Sequence, residues 1–335
     1  MRAAVRVLVS LAVASLLVVL LLGWTGTTVG DVAGALRALD ARVYLTALLV
    51  QAAIYPARAL RFSALMPAAR RPRMTRLLPV TAAHILAANV LPAKVGEAAL
   101  VVYLRRCAGV PGAHGLALLL VSRVLDFATV AGGLSLACLV LGAGGAYPEL
   151  DWLVPLGTVL IVPTLLFAWL AARGDRLVAA AAGCLRLLRL DRTALGARLL
   201  AFADRVRAAL GEVGRAHLAR GALATVPVWL LVFAFYAVLA RGLGIETLSF
   251  PAAVFGAGLA ILSTLLPVGG FAGFGVQEAG WVAGFTALGV SAELAVATGV
   301  AAHLVYLANL CAFGLVGHAA MALFQRPIAP GPVDS

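Results

Sequence analysis

Two glutamates, Glu97 and Glu278, stand in segments that are otherwise strongly apolar. A carboxylate at membrane depth costs several kcal/mol and usually faces a bundle interior or a polar cavity. There it can meet a cation, an ammonium-bearing headgroup or a proton. The plainer alternative is a carboxylate at the interface, satisfied by nearby backbone or arginine. Arg123 and Asp126 are three residues apart and share one helix face. Either they neutralise each other, or Arg123 turns into the cavity to meet a phosphate, which its rigid guanidinium fork suits. Lys94 and Arg61 supply further positive charge, or serve as ordinary anchors on the inner face. His303, Tyr306 and Asn309 recur every three residues and predict a polar stripe on an apolar helix.

Other chemistry lacks a basis in the spacing. His84, His114, His217 and His318 form no metal-ligand pattern, and none joins a nucleophile triad. The four cysteines, Cys107, Cys138, Cys184 and Cys311, lie in or beside apolar runs with no C-x-x-C pair, and read as small hydrophobes. No phosphate-cradling glycine loop follows a strand. No cofactor and no nucleic-acid partner is expected.

The elements that must carry these residues are broken helices. The first reads Asn89-Val90-Leu91-Pro92-Ala93-Lys94-Val95-Gly96-Glu97. The second runs from Ser263-Thr264-Leu265-Leu266-Pro267-Val268-Gly269-Gly270 through Gly273 and Gly275 to Gln277-Glu278. Both pass from a short polar residue through Leu-Pro to a glycine-rich approach to glutamate. Proline removes a backbone donor and glycine frees φ, so breaks are expected at Pro92 and Gly96, and at Pro267, Gly269, Gly270, Gly273 and Gly275. Each glutamate then begins a return arm, near a helix N-terminus that favours an anion. Broken backbone at this depth is tolerated only against protein or a polar cavity.

The rest of the chain shows why these are membrane segments. Of 335 residues 63% are hydrophobic and 12% charged, against about 25% charged in a soluble domain. Apolar stretches of about 20 residues, the length needed to cross a bilayer, occur at 5–24, 43–60, 115–141, 152–172, 222–239 and 294–320. The first is longer than a signal peptide's apolar core and reads as a retained span. Arginines orient the spans: Arg2, Arg6, the group from Arg61 to Arg76, Arg105, Arg106, Arg173, Arg176 and Arg326 are expected on the cytoplasmic side. Residues near 31, Tyr147, Glu149, Asp151, Arg241 and Glu246 are expected outside.

On this topology region 77–104 enters and leaves on one face and region 251–289 on the other. Each is a re-entrant hairpin, or in the first case a segment lying flat at the interface. The expected fold is an all-α polytopic membrane protein of six full spans plus two re-entrant helical hairpins in an inverted-topology repeat. Residues 1–326 form one membrane domain, with halves 43–141 and 222–320, and 327–335 are a tail. Between the halves, 173–220 carries arginines among leucines and alanines and predicts amphipathic helices on the cytoplasmic surface. These helices rest on lipid headgroups or on the protein's own loops.

Asn89 through Glu97, Arg123-x-x-Asp126 and Leu266-Pro267 to Gln277-Glu278, in this order on these spans, resemble a known family over roughly residues 5–320. It is the flippase-like membrane region of lysylphosphatidylglycerol synthases, also found in stand-alone proteins once grouped as an uncharacterised integral-membrane family. The resemblance implies movement of phospholipids or polyprenyl-linked lipids between leaflets, with two re-entrant segments facing each other. Glu97, Arg123, Asp126, Pro267 and Glu278 match the family pattern. Lys94 and Val95 depart from it, as does His303, where arginine is common. No aminoacyl-transfer segment is read here, so lysyl-lipid synthesis is not expected.

The preferred reading is a lipid transporter in a bacterial or archaeal cell membrane, both termini cytoplasmic. Its substrate-binding candidates are Asn89, Lys94, Glu97, Arg123, Asp126, Gln277, Glu278, His303 and Tyr306. A coupling proton or ion is a candidate second partner, since no ATP-binding apparatus is read. The alternatives are a membrane-embedded enzyme acting on a lipid-linked substrate, and a structural or partner-binding membrane protein. Headgroup and oligomeric state are left open by the sequence.

Overall fold

The computed structural model describes residues 15, 19–144, 150–187, 193–246, 248–264 and 271–323. Expectations about Arg2, Arg6, Tyr147, Glu149, Pro267, Gly269, Gly270, Arg326 and the tail lie outside the described residues, as does the side chain of Lys94.

All described elements are helical. Helix α1 (Val19–Thr25) is followed after a 90° bend by α2 (Val29–Ala38). The bend was not expected, for Asp31 was read as lying in an outer loop. Its cause is local: Gly26 takes a positive φ of 70°, and Thr28 and Asp31 then form a reciprocal capping box that starts a new helix. Next come α3 (Ala41–Leu65), α4 (Met74–Val90), α5 (Ala99–Ala108), α6 (Gly112–Ala143), α7 (Leu153–Ala172), α8 (Gly174–Leu187), α9 (Ala194–Glu212), α10 (Arg215–Gly242), α11 (Phe250–Ser263), α12 (Val276–Ala287) and α13 (Ala292–Ala322).

Five of these, α3, α6, α7, α10 and α13, are long and apolar enough to cross a bilayer; a sixth span counts only if the bent α1–α2 pair is one crossing. The chain is an all-α polytopic membrane protein. Helix α7 shows the solvent the fold is built for. Val159, Val162, Leu165, Leu166 and Trp169 are all exposed on it, a continuous apolar surface that a water-soluble monomer would not carry.

Small residues set the helix spacing, as expected where lipid removes the hydrophobic drive between helices. Helix α13 lies against α4 at Gly317, where an added Cβ would stand 2.8 Å from the Ala83 nitrogen and 3.0 Å from the Pro79 carbonyl oxygen. Helices α11 and α12 meet at Gly256 and Gly284, with an added Cβ on Gly284 only 2.7 Å from Gly256 Cα. Helices α3 and α10 form a further long pair, with Gly221 under Leu65 and Gly242 under Val43.

Both broken regions are broken. Leu91 is extended (φ −76°, ψ 132°), the conformation that a following proline imposes, and a 3-10 segment (Pro92–Ala98) leads into α5. Gly96 presses this segment onto α4: an added Cβ would lie 1.8 Å from the Ala87 carbonyl oxygen. In the second region α11 ends at Ser263, and α12 is entered through Ala272, Gly273 and Gly275, all at positive φ. For Ala272, at 54°, this is a strained conformation. Helices α5, α11 and α12, of 10, 14 and 12 residues, reach about 15 to 21 Å at 1.5 Å per residue, short of a bilayer core of about 30 Å.

In the stretch 173–220, helices α8 and α9 form as expected. The apolar face of α9 is used by the protein itself: Val206, Ala209 and Leu210 are buried in the cluster that holds Leu65, Leu118 and Val121. Arginine-studded α9 therefore rests on α6, not on lipid, along that face.

Candidate functional site

The sequence placed Arg61 in a loop after the second span. The structure corrects this: α3 continues to Leu65, and Arg61 is 0% exposed in its last turns. Helix α3 extends because no proline or glycine follows Leu60 before Pro67. A buried guanidinium demands a counter-charge, and α6 supplies it. Arg61 Nη1 donates to Asp126 Oδ1, and the Trp229 indole nitrogen of α10 donates to the same oxygen at 2.9 Å. The other oxygen, Oδ2, accepts from Arg123 Nη1 at 3.1 Å.

Arg123 then reaches the first break. Its Nε and Nη2 both lie 3.0 Å from Glu97 Oε2, and the two side chains are 28% and 25% exposed. Local pairing with Asp126 and pairing with the break are thus both realised by one guanidinium. The continuous chain Arg61, Asp126, Arg123, Glu97 joins α3, α6 and the 3-10 segment after α4, with Trp229 adding α10.

Two further groups in this cluster were not singled out from sequence. Arg58, half-buried one turn before Arg61, makes no hydrogen bond or ion pair among the described residues, and its Nε is buried. His84 on α4 is buried with both ring nitrogens unpartnered; its Nε2 lies 3.8 Å from Glu97 Oε2, too far for a hydrogen bond. Arg61 Nε and Nη2 are likewise buried without partners. The spacing Arg58-x-x-Arg61 was a signal for one helix face, hidden by ending the span at Leu60. Among the described side chains the cluster holds three guanidinium cations (Arg58, Arg61, Arg123) against two carboxylates (Glu97, Asp126), and several of its nitrogens are buried without partners.

The second glutamate has other partners. Glu278, in the first turn of α12, accepts from the Gly275 nitrogen at 2.6 Å through Oε2. Its Oε1 lies 2.6 Å from His303 Nδ1, and both side chains are 0% exposed. His303 Nε2 is buried without a partner. Phe274 stacks over the imidazole at 4.4 Å between centroids. Next to Glu278, Gln277 Nε2 donates to the Tyr236 hydroxyl at 3.3 Å.

The α13 stripe ties these parts together. His303 meets α12, the Tyr306 hydroxyl donates to Asn89 Oδ1 on α4 at 3.2 Å, and Asn309 Nδ2 donates to Gln51 Oε1 on α3 at 2.9 Å. Gln51 Nε2 in turn donates to the Tyr306 carbonyl, and the Tyr44 hydroxyl donates to Asn309 Oδ1. Gln51, Tyr44, Tyr236 and Trp229 were not read from the sequence, since single polar or amphipathic residues within a span carry no periodic signal.

The polar interior therefore sits where two broken helices meet four long ones, and the chain matches the family model of the lysylphosphatidylglycerol synthase TM region over residues 7–314. It belongs to that family. No curated protein matches the chain. Membership in the lysylphosphatidylglycerol synthase TM family and the polytopic helical architecture agree in describing a membrane protein of lipid-handling kind.

Proposed function

We propose that this member of the family carries a phosphate-bearing lipid, a phospholipid or a polyprenyl-linked lipid, between membrane leaflets. One observation carries the reading: the buried cationic excess of Arg58, Arg61 and Arg123 over Glu97 and Asp126, with guanidinium and imidazole nitrogens left unpartnered. Unpaired buried donors each cost about 1–3 kcal/mol. A phosphate accepts several at once and suits a guanidinium fork. Arg123 and Glu97, the partly exposed members, are where a headgroup enters; an ammonium on the headgroup would meet Glu97.

In this reading the broken pairs α4–α5 and α11–α12 are re-entrant hairpins of an inverted repeat, opening to opposite faces, with both termini cytoplasmic. The acyl or prenyl tails stay in hydrocarbon while the headgroup follows Glu97, Arg123 and Asp126, then Asn89, Tyr306 and Gln277, toward Glu278 and His303. The protein would act in a bacterial or archaeal cell membrane.

The test is leaflet exchange of a labelled phospholipid in vesicles containing the purified protein. Exchange above that of protein-free vesicles, reduced at least tenfold by Arg123→Gln at matched protein content, is the expected result. Parental exchange equal to protein-free vesicles, for both a phospholipid and a polyprenyl phosphate, would refute the reading.

A further inference from the structure

The Glu278–His303 pair has a chemical form unlike a structural cap. Capping Gly275 requires one acceptor oxygen, which a glutamine would supply without bringing charge into the bundle. Here a carboxylate is set 2.6 Å from an imidazole, at 0% exposure for both, and the far ring nitrogen is left without a partner. Described side chains near the pair include Phe274 and Tyr306 beside the imidazole, and Gln277, next to Glu278 in the chain, with its partner Tyr236. Two are phenols and none is charged. Among the described residues no arginine or lysine pairs with either member.

Such a pair has two accessible states. With one titratable proton bound, either as carboxylate and imidazolium or as carboxylic acid and imidazole, its net charge is zero. With that proton released it carries one negative charge, and burial of that charge is tolerated only if a compensating positive charge is near. The arginine cluster supplies one. Among the described side chains, three guanidinium groups, which stay protonated at all relevant pH, stand against Glu97 and Asp126 and leave a surplus of one positive charge. Tyr306 stands beside the pair and reaches toward the first break: its ring centroid is 6.3 Å from that of His303 on the same helix, and its hydroxyl donates to Asn89 on α4, the helix that also carries His84.

We propose that Glu278–His303 is a proton-binding site that loads when an anionic headgroup enters the arginine cluster. The inference rests on the lipid reading above. Without ligand, the cluster's surplus positive charge is balanced by the deprotonated pair. An entering monoanion cancels that surplus, and the pair restores neutrality by taking one proton from the aqueous phase, forming one N–H or O–H bond and leaving hydroxide to the buffer. Headgroup and proton then travel as a neutral load, and a proton gradient can drive the lipid. Linkage fixes the sign: one proton taken up per anion makes binding tighter as pH falls, by up to about tenfold per pH unit. A zwitterionic headgroup brings no net charge and takes up no proton.

Titration calorimetry of phosphatidylglycerol, a lipid with one phosphodiester charge, into the purified full chain reads both quantities at once. Repeating it in two buffers of different ionisation heat gives the protons taken up, and repeating it between about pH 5 and 8 gives the linkage. Expected are close to one proton per bound phosphatidylglycerol, none for phosphatidylcholine, and affinity rising as pH falls. Glu278→Gln should show no proton uptake on binding phosphatidylglycerol and no pH dependence of its affinity, whatever that affinity is. Parental binding without proton uptake overturns the proposal and leaves the lipid reading standing. If the parent binds neither phosphatidylglycerol nor a polyprenyl phosphate, the coupling fails together with the lipid reading. The parent measurements decide even if the variant does not fold, and infrared titration of the parent adds a direct readout: a buried carboxyl or imidazolium band that never changes across the same pH range would overturn the proton site.

Discussion

The guanidinium of Arg123 holds two carboxylates at once: Nε and Nη2 stand 3.0 Å from Glu97 Oε2, and Nη1 stands 3.1 Å from Asp126 Oδ2. The Glu97 contact is partly open, while the Asp126 contact is closed over by Arg61 and Trp229. The two carboxylates should therefore respond differently to loss of charge.

Asp126→Ala should be the most destabilising change in the cluster. It strands Arg61, which is fully buried, and removing one partner of a buried pair costs about 3–5 kcal/mol. Thermal unfolding of purified protein should show this as a large fall in midpoint. The double variant Asp126→Ala with Arg61→Met should recover part of it. A midpoint within a degree of the parent in the single variant would contradict the burial of Arg61.

Glu97→Gln should lower lipid exchange by about tenfold or more, from loss of a charge-assisted contact worth about 1.5–3 kcal/mol. Its effect on unfolding should be near the 0–1 kcal/mol typical of an accessible ion pair. Parallel measurement of exchange and melting separates the two roles. Full exchange with reduced stability would reassign Glu97 to scaffold.

Arg58→Gln should weaken binding of phosphatidylglycerol by about tenfold and leave the melting midpoint unchanged or raised. Arg58 has no hydrogen-bond or ion-pair partner among the described residues to strand, and it sets a like charge one turn from Arg61 on α3. Equal affinity in the variant and parent would remove Arg58 from the anion site.

Gly96→Ala should disrupt the first break, because its Cβ would meet the Ala87 carbonyl oxygen at 1.8 Å and Ala88 Cα at 2.7 Å, both on the α4 backbone. Overpacking of this kind costs about 1–3 kcal/mol or more. Gly183→Ala on α8, where nothing lies within 4 Å of the added Cβ, should stabilise by roughly 0.5–1 kcal/mol through helix propensity. Melting of the two variants side by side checks the contrast.

Outside the membrane segments, Glu212 at the end of α9 joins Arg70 and His114, each at 3.1 Å. The Arg70 hydrogen bond, then that of His114, holds its carboxyl below its ordinary value of 4.5. A carboxyl lowered on folding stabilises the fold above its unfolded value and loses that contribution as pH falls through the folded value. Acidification below pH 4.5 should therefore loosen α9 from α6 in the parent. Glu212→Gln should show a shallower dependence of melting on pH in this range, with a small difference at neutral pH because the group is 42% exposed. Identical pH profiles would show that this contact adds no stability.

Sequence alone determined whatever depends on neighbours along the chain. Apolar length fixed the membrane class and placed α6, α7 and α13 to within three residues, because a helix satisfies its own backbone and only its length must match the bilayer; α3 runs five residues past its expected end and α10 starts seven before its expected beginning, where arginines hid the continuing helix. Leu91-Pro92 and the glycines before Glu278 marked the breaks through local φ and ψ limits. The three-residue spacing of His303, Tyr306 and Asn309 marked one face of α13. Tertiary structure alone decided the partners. Arg123 finds Glu97 across 26 residues, Arg61 finds Asp126 across 65, and Trp229 reaches Asp126 across 103. Those choices follow from which helix faces the small residues allow to approach, and a buried charge pairs with whatever that approach delivers. For the same reason the two glutamates, alike in sequence setting, became different groups: Glu97 half-open on an arginine, Glu278 sealed against a histidine.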